Sequence, residues 1–234
     1  MTDVTAIITA HGEGAIAGLS LRSMADAAAL ARANGATVDL LAMLDRPDAP
    51  TRRLFAETGV EIEVLACDFG DQGAARNLAT RHARGRFLAF LDGDDLWSEN
   101  WLVAGLAEAR RTDPPAIVHP EANWFFGGKN SLFLKTADDD PAFDAGFLRY
   151  GNYWDAMMIV PRDVMLAHPF LPRDLAAGYA YEDWSFAAET HAAGVSHRIA
   201  GGTIHFKRRR DGSQHSRSVA SGALPQADLR WPHG

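Results

Sequence analysis

Residues 87–95 read Phe87-Leu88-Ala89-Phe90-Leu91-Asp92-Gly93-Asp94-Asp95, an apolar run that ends abruptly in carboxylates around one glycine. An apolar run of this length, closed by a polar turn, is typical of a strand that is buried on both faces. In open α/β sheets, ligands bind in the crevice outside the carboxyl ends of such strands. The stretch therefore predicts an α/β protein with a polar site at the end of this strand.

The close spacing of these carboxylates indicates a chemistry for the site. Carboxylates that are held together repel one another, which raises their pKa values unless they share a cation. Their hard oxygen atoms suit magnesium or manganese, which leave coordination positions free for phosphate oxygens. The alternative interpretation is an acidic turn that caps the following helix, because acidic residues are frequent at helix starts.

On both sides of this stretch, strand patterns alternate with helix patterns. Apolar or β-branched runs predict strands at residues 4–10, 38–44 and 60–66, and apolar residues at helical spacing predict helices at residues 19–33, 51–58 and 74–79. After the carboxylates, Ser98 is a favourable N-cap for a helix that extends to about residue 111, before Asp113-Pro114-Pro115. This order predicts a βαβαβ opening and a mostly parallel central sheet flanked by helices.

Beyond Pro115 the predicted strands become short and aromatic, at residues 116–119, 122–126 and 131–135, which indicates a smaller antiparallel extension. A strand at residues 156–160 precedes Pro161, which stands at the preferred first position of a helix. A helix that starts at Glu182 is predicted to end before Gly194, with strands following at residues 195–200 and 203–206. The residues after Arg210 predict a loop and, at residues 219–234, a weakly ordered tail.

The composition of the 234-residue chain limits the classes of function. Its hydrophobic content of 47% is sufficient for a sizeable core, and its net charge of -7 argues against nucleic-acid binding. The single cysteine, Cys67, excludes an intrachain disulfide and indicates a reducing compartment. We see no secretory signal and no apolar stretch of the roughly 18 residues that a membrane span requires. The expected location is the cytoplasm, including the inner face of the membrane, where peripheral contact is compatible with the sequence.

Three motifs follow one another in a recognisable order: Gly73-Ala74-Ala75-Arg76-Asn77, then Asp92-Gly93-Asp94-Asp95, then Glu182-Asp183 at the start of a helix. Together with the βαβαβ opening, they resemble the nucleotide-sugar glycosyltransferases of glycosyltransferase family 2, which have the Rossmann-like GT-A fold. The resemblance extends from Val4 to Ser218. It implies one domain over residues 1–218, with a nucleotide-binding half at residues 1–113 and an acceptor-binding half at residues 114–218.

The resemblance implies that Asp92-Gly93-Asp94 is the family's DxD motif, which binds the donor diphosphate through a divalent metal. Asp94 is the expected ligand of manganese or magnesium, Asp92 lies toward the ribose, and Asp95 assists either. Such a metal stabilises the negative charge that grows on the departing nucleoside diphosphate. His205 is expected to complete the metal or diphosphate site. The donor-binding residues that the resemblance implies are Thr9, His11, Asp45, Arg76, Asp92, Gly93 and Arg210.

Several of these residues have simpler interpretations. Asp45 can be a turn residue before Pro47, Arg76 a solvent-facing helix arginine, and His205 a structural histidine. The basic residues of 207–210 and Arg217 lie where relatives carry a mobile lid over the donor, and the alternative is a solvated basic face. The family often has a tyrosine-arginine-x-histidine string there, where this chain reads His205-Phe206-Lys207-Arg208.

Glu182-Asp183 matches the family's ED motif, whose aspartate is the catalytic base. In an inverting transfer the acceptor hydroxyl attacks the anomeric carbon from the face opposite the leaving diphosphate, and a carboxylate on that side takes its proton. Asp183 is therefore the expected base, with Glu182, Trp184 and Trp154 at the acceptor. The alternative is an acidic first helical turn favoured by the helix dipole, with tryptophans that belong to the core.

We thus expect an inverting, metal-dependent glycosyltransferase that moves a sugar from a nucleoside-diphosphate sugar to a hydroxyl of a glycan or lipid-linked acceptor. A calcium-binding EF-hand is excluded because Trp97 and Val103 stand where it needs glycine and glutamate, and the glycine-rich P-loop signature is absent. A haloacid-dehalogenase-like phosphatase is a distant alternative, although Leu96 stands where its pattern has threonine or valine. The non-enzyme alternative is a nucleotide-sugar-binding module that has lost turnover.

Overall fold

The structure is a computed structural model that describes residues 2–128, 130–210 and 214–226. Within these residues, nine strands form one sheet in the order β3-β2-β1-β4-β8-β6-β10-β5, with β7 paired to β6, and two short strands, β9 and β11, pair separately. The strands are β1 (Val4–Ala10), β2 (Val38–Asp45), β3 (Glu63–Cys67), β4 (Phe87–Asp92), β5 (Leu96–Trp97), β6 (Ile117–Phe126), β7 (Ser131–Leu134), β8 (Ile159–Pro161), β9 (Tyr179–Ala180), β10 (His197–Arg208) and β11 (Leu224–Pro225).

Seven α-helices accompany these strands in the described residues. They are α1 (Ala17–Ala33), α2 (Ala49–Glu57), α3 (Gln72–His82), α4 (Trp101–Ala109), α5 (Arg162–Ala167), α6 (Glu182–Ala192) and α7 (Gln214–Ala220). Short 3₁₀ turns lie at Gly14–Ile16 and Ala145–Arg149. None of the helices in the described part of the chain is long and apolar enough to cross a membrane.

The sheet is buried on both faces, as the apolar run of β4 predicts. Alternate residues of β1 and β4 pack into two hydrophobic clusters on opposite sides of the sheet. One cluster includes Met24 of α1 and Trp101 of α4. The other includes Ala79 of α3 and Phe186 of α6. The α/β class with helices on both faces is therefore confirmed.

Parallel pairing of β3, β2, β1 and β4 brings their carboxyl ends to one edge of the sheet. Thr9 of β1 lies opposite Asp92 of β4 in this register. β8 is antiparallel to β4 and β6, and β7 is antiparallel to β6. β6 and β10 are parallel to each other, which differs from a purely antiparallel extension. The observed sheet is therefore mixed in its second half.

Several elements differ from the boundaries that the sequence predicts, and the differences in β6, β10, β3 and α4 have a physical reason or bear on the site. β6 continues as one strand through Pro120, and β10 continues as one strand through Gly201 and Gly202. The reason is an irregularity in the pairing of β10 opposite Pro120, which accommodates the missing N–H donor of this proline. β3 begins at Glu63, after residue 60. Ser98 does not cap α4, which begins at Trp101, because the Ser98 hydroxyl accepts a hydrogen bond from Ile204 N of β10.

The segment predicted as a loop and a weakly ordered tail contains regular structure. α7 lies within it, and β11 pairs in parallel with β9. The predicted loop is thus wrong for residues 214–218, where α7 lies, whereas the weakly ordered tail at residues 219–234 stays a prediction. Residues 211–213 and 227–234 lie outside the described part of the chain.

Candidate active site

A cleft of about 830 Å³ opens at the carboxyl ends of the parallel strands. Its walls combine the end of β1, the acidic turn after β4, the start of α3, the start of α6 and the residues at and after the end of β10. Three of the predicted motifs therefore line one space: Arg76, the carboxylates of Asp92 and Asp94, and the Glu182-Asp183 pair.

Arg76 links two of these motifs from beneath the cleft. Its side chain is 3% exposed, with Nη2 at 2.5 Å from Asp92 Oδ1 and Nη1 at 3.3 Å from Glu182 Oε1. Burial opposes the charge, but the carboxylates of Asp92 and Glu182 raise the pKa of Arg76 above its ordinary value. The solvent-facing alternative for Arg76 is wrong, and the residue instead fixes the end of β4 relative to the start of α6.

Asp92 Oδ1 is the meeting point of several donors. Besides Arg76, Gln72 Nε2 lies at 2.6 Å and Thr9 Oγ1 at 3.3 Å from this oxygen. The contacts hold the carboxylate of Asp92 in one orientation at the mouth of the sheet. Gln72, at the first position of α3, is a site residue that sequence reasoning missed, because a lone glutamine carries no motif signal.

The carboxylate of Asp45 has a structural role at the edge of the cleft. Its Oδ1 accepts hydrogen bonds from Phe69 N at 2.8 Å and Gly70 N at 3.0 Å, and its Oδ2 accepts one from Asp71 N at 2.9 Å. The carboxylate therefore shapes the loop before α3, where Asp71 caps the helix through Ala74 N. His11 lies beside it, with Nδ1 at 2.5 Å from the Asp45 carbonyl oxygen.

Asp94 lies at the cleft surface and is paired with a cation. Arg210 Nε lies 2.9 Å from Asp94 Oδ2, and Arg210 Nη2 lies 3.2 Å from Glu13 Oε1. Burial raises the pKa of Glu13, and the charge of Asp94 adds to this. Glu13 was not predicted from the sequence, because it stands in a glycine-rich loop without a recognisable spacing to Asp94.

Gly93 is necessary for the shape of the acidic turn. A Cβ atom at this position would lie 3.0 Å from Thr9 O and 3.1 Å from Ala10 Cβ. The turn therefore packs directly on the end of β1. This close approach keeps Asp92 and Asp94 at the edge of the sheet.

Asp95 points into the protein. It is 3% exposed, its Oδ1 accepts a hydrogen bond from Arg208 N at 2.6 Å, and Lys207 Nζ lies 3.8 Å from its Oδ2. Burial raises the pKa of Asp95 well above its usual range, against the lowering effect of Lys207. Asp95 thus ties the acidic turn to the end of β10.

Glu182 and Asp183 form the first turn of α6. The preceding Tyr181 has a φ of 61°, a left-handed conformation that is uncommon for a bulky residue, and this bend turns the two acidic side chains toward the cleft. Burial raises the pKa of Glu182 to about 7, and it also raises that of Asp183, where the charge of Asp155 contributes in the same direction. A carboxylate with a raised pKa is a stronger proton acceptor once it is ionised.

The two predicted acceptor tryptophans differ in their surroundings. Trp184 lies next to Asp183 on the cleft wall and donates from Nε1 to Leu148 O at 2.6 Å. Trp154 also borders the cleft but is only 3% exposed, and its ring stacks on that of His197 with centroids 3.9 Å apart. Trp154 is therefore mainly a core residue that supports the cleft wall.

His205 lies away from the surface of the cleft. It is fully buried, with its ring packed edge-on against Trp101 at 4.5 Å and stacked on Trp97 at 6.2 Å between centroids. Burial lowers its pKa well below the usual range, so the ring is neutral. The structure does not bring His205 to the cleft beside Asp94.

The acidic turn is the part of the cleft that fits a divalent cation. Among the described residues, no group of three or more histidine, cysteine, aspartate or glutamate side chains is arranged to hold a metal by itself. Asp92 and Asp94 nevertheless supply hard oxygen atoms at the mouth of the cleft. Magnesium and manganese are commonly held by one or two carboxylates together with substrate phosphates, so this donor set suits them when a diphosphate is present.

A scan of protein families and a search of curated proteins both found relatives. The family model described as "Glycosyl transferase family 2" matches residues 5–160. The succinoglycan biosynthesis protein ExoM of Rhizobium meliloti (strain 1021) is 29% identical over 154 residues, which cover 64% of this chain and 46% of ExoM. The chain thus spans less than half the length of this curated relative.

Solved structures with the same fold include two complexes with nucleotide sugars. S. aureus TarS 1–349 in complex with UDP-GlcNAc has a TM-score of 0.67 at 14% identity, over 92% of this chain and 61% of the TarS 1–349 chain. The mannosyltransferase PcManGT from Pyrobaculum calidifontis, in complex with GDP-Man and Mn²⁺, has a TM-score of 0.61 at 15% identity, over 92% of this chain and 59% of the other. The likeness establishes the GT-A fold.

Proposed function

Because the chain belongs to glycosyl transferase family 2, we propose that it transfers a sugar from a nucleoside-diphosphate sugar to a hydroxyl group of a glycan or lipid-linked acceptor, with inversion at the anomeric carbon. One observation carries the proposal. Arg76 contacts both Asp92 of the acidic turn and Glu182 beside Asp183, so a leaving-group side and a base side face each other across one cleft.

The donor is proposed to bind at the edge formed by β1, β2 and β4. Thr9, Gln72 and Arg76 orient Asp92 toward the ribose, and the loop held by Asp45 borders the nucleotide together with His11. Arg210 is close enough to Asp94 to reach a diphosphate bound there. The complexes of TarS with UDP-GlcNAc and of PcManGT with GDP-Man support a donor of this class.

The oxygen atoms of Asp94 and Asp92 would hold a magnesium or manganese ion together with the diphosphate, and this ion would neutralise the charge that develops on the leaving group. PcManGT contains Mn²⁺ in its complex, which supports a divalent metal in this fold. His205 is not part of this proposal, because it is buried between Trp97 and Trp101.

Asp183 is the proposed base. As the acceptor oxygen forms its bond to the anomeric carbon, the bond from that carbon to the diphosphate oxygen breaks, and the acceptor proton passes to the Asp183 carboxylate. Glu182 holds the turn through Arg76, and Trp184 forms the adjacent acceptor wall. The domain proposal follows from this division: one domain over residues 1–218, whose first half supplies most donor contacts and whose second half supplies the base.

A thermal-shift screen tests the proposal. The protein is heated with uridine, guanosine, adenosine, cytidine and thymidine diphosphates and with their sugar conjugates, each with and without manganese. A binding nucleotide raises the melting temperature by mass action, and the rise should require manganese. The absence of any shift across the panel would contradict the proposed donor class.

A turnover assay distinguishes an active enzyme from the alternative, a nucleotide-sugar-binding module without activity. The nucleotide sugar with the largest shift is incubated with manganese and a panel of glycan and lipid-linked acceptors, and released nucleoside diphosphate is measured. Release that depends on the acceptor is expected. Binding without release in every combination would favour a module that has lost turnover. The family and the GT-A fold give no support to the phosphatase alternative.

A further inference from the structure

Four polar side chains form the floor of the cleft, and the first three lie outside the sequence motifs: Asn123 of β6, Lys135 after β7, Asp155 before β8 and Lys207 of β10. We call this set the polar floor. All four line the cleft, although Asn123 is 3% exposed and the side chain of Lys135 is 1% exposed. Buried polar groups require partners, so the contacts of this set indicate what it can still bind.

Asp155 is the centre of the polar floor. Lys135 Nζ lies 2.9 Å from its Oδ1, while Asn123 Nδ2 at 2.6 Å and Lys207 Nζ at 3.3 Å approach its Oδ2. Burial opposes ionisation, but the two ammonium groups hold the pKa of Asp155 well below its usual range. The carboxylate is therefore charged and has donors on both oxygen atoms.

The polar floor lies between the two halves of the proposed reaction. Lys207 Nζ lies 3.8 Å from Asp95 Oδ2, at the acidic turn. On the other side, the charges of Asp155 and Lys207 both act on the carboxylate of Asp183. An anomeric carbon that is attacked with inversion must lie between the leaving diphosphate and the base. The ring that carries this carbon would therefore lie over the polar floor.

The polar floor retains unused hydrogen-bonding capacity. Asn123 must direct its amide NH₂ to Asp155, because an ionised carboxylate only accepts hydrogen bonds. Asn123 Oδ1 is then buried without a hydrogen-bond partner among the described residues. Lys135, on the other oxygen of the same carboxylate, has N–H groups in excess of its one ion pair. An acceptor and a donor thus stand on either side of Asp155.

This pairing matches a hydroxylated ring. A hydroxyl group would donate to Asn123 Oδ1, and the oxygen of a neighbouring hydroxyl would accept from Lys135. Both ammonium groups are already paired with carboxylates, Lys135 with Asp155 and Lys207 with Asp155 and Asp95. The floor therefore holds no unpaired cation that would favour a sugar acid.

We infer that the polar floor is the subsite for the transferred sugar, and that Asn123 and Lys135 select a neutral sugar by two neighbouring hydroxyl groups. This inference rests on the proposed function, because it requires a nucleotide-sugar donor in the cleft. It adds specificity-determining residues that lie outside the motifs for the nucleotide, the metal and the base.

The test compares Asn123→Ala with Asn130→Ala, a matched change at an exposed asparagine beside β7. Calorimetry measures the affinity of each variant for the best nucleotide sugar of the screen, for its deoxy analogues and for the corresponding nucleoside diphosphate. Asn123→Ala should lower the affinity for the nucleotide sugar by about 3- to 10-fold, which corresponds to one hydrogen bond, and should leave the affinity for the nucleoside diphosphate unchanged. Asn130→Ala should change neither.

The deoxy analogues identify the hydroxyl. One analogue should bind wild-type protein as weakly as the full sugar binds Asn123→Ala, and it should lose no further affinity in that variant. Where Asn123→Ala does not fold, Lys135→Met is measured in the same way. Equal losses for the sugar conjugate and the free diphosphate, unchanged binding of both, or a wild-type preference for a uronic-acid donor would overturn the inference alone. A wild-type protein that binds no nucleotide sugar would overturn the proposed function as well.

Discussion

Arg210 and Asp94 form an ion pair in the cleft, with Arg210 Nε 2.9 Å from Asp94 Oδ2. The guanidinium group of Arg210 therefore pairs with the same carboxylate that is proposed to bind the metal ion. The pair is partly solvated, since the two side chains are 41% and 16% exposed. An ion pair of this exposure contributes up to about 1 kcal/mol, so the arginine is a weak competitor and not a permanent block.

Replacing Arg210 with alanine should separate its two roles. Without nucleotide, manganese should bind Arg210→Ala up to about 5-fold more tightly, because Asp94 is released from its partner. With manganese present, nucleoside diphosphate should bind more weakly, because a phosphate contact is lost. Calorimetry measures both affinities, and Arg53→Ala, which removes an exposed helix pair with Glu57, is the control. Unchanged manganese affinity would contradict the competition.

Asp183→Asn should remove turnover and retain donor binding. Loss of a general base typically costs about 10²- to 10⁴-fold in rate, whereas an amide of the same size leaves the cleft intact. Release of nucleoside diphosphate and calorimetric affinity are measured on one preparation. Asp163→Asn, in the exposed first turn of α5, should change neither quantity. A fully active Asp183→Asn protein would exclude this residue as the base.

Stability should respond to pH through Glu182, whose pKa burial raises from 4.5 to about 7. Between these values the folded protein holds a proton that the unfolded chain releases. The free energy of unfolding therefore falls as the pH rises through this window, by up to about 3 kcal/mol for this group.

Glu182→Gln removes that titration. Denaturant unfolding of the variant and of wild-type protein is measured from pH 4.5 to 8, and the variant should gain stability relative to wild type as the pH rises. The charge of Arg76 lowers the pKa of Glu182 and is already included in its net rise, so the relative gain expected from pH 4.5 to 8 needs no separate correction for this pair. Glu57→Gln, at an exposed position, should follow the wild-type curve. Parallel curves for Glu182→Gln and wild type would refute the raised pKa.

Gly93→Ala should displace the acidic turn. The added Cβ would lie 3.0 Å from Thr9 O, closer than ordinary contacts allow, and overpacking of this kind costs about 1–3 kcal/mol. The free energy of unfolding should fall, and manganese-dependent nucleotide binding should weaken with it. Gly59→Ala is a suitable control, because nothing lies within 4 Å of a Cβ atom there. Equal behaviour of the two variants would show that the turn has room.

The sequence predicted those parts of the fold that depend on local pattern. Strands β1, β2 and β4 follow from their apolar runs, and α6 ends before Gly194, which has a φ of 81°. The continuity of β6 and β10 was missed, because Pro120 and the Gly201-Gly202 pair are local breaking signals. The cross-strand register that bridges them depends on the partner strand and is not visible in either segment alone.

In the candidate active site, too, only the residues that belong to local sequence motifs could be predicted. The acidic turn, Arg76 and the Glu182-Asp183 pair were found because each lies in a motif, and the structure brings them into one cleft. Asn123, Lys135 and Asp155 come from three separate segments and meet only after the sheet forms. His205 was predicted to contribute to the metal or diphosphate site because it lies at the end of a predicted strand, but the indole rings of Trp97 and Trp101 pack against its side chain.

The length of β10 has a further consequence for binding. Because Lys207 and Arg208 are in register with Phe125 and Phe126 of β6, their backbone is fixed before any ligand binds, and Asp155 and Asp95 hold the ammonium group of Lys207. A mobile basic loop would lose conformational entropy each time a diphosphate bound, and each immobilised long side chain would cost roughly 0.5–1.5 kcal/mol of affinity. In this protein that ordering is completed during folding, so the electrostatic field at the base of the cleft is preorganised.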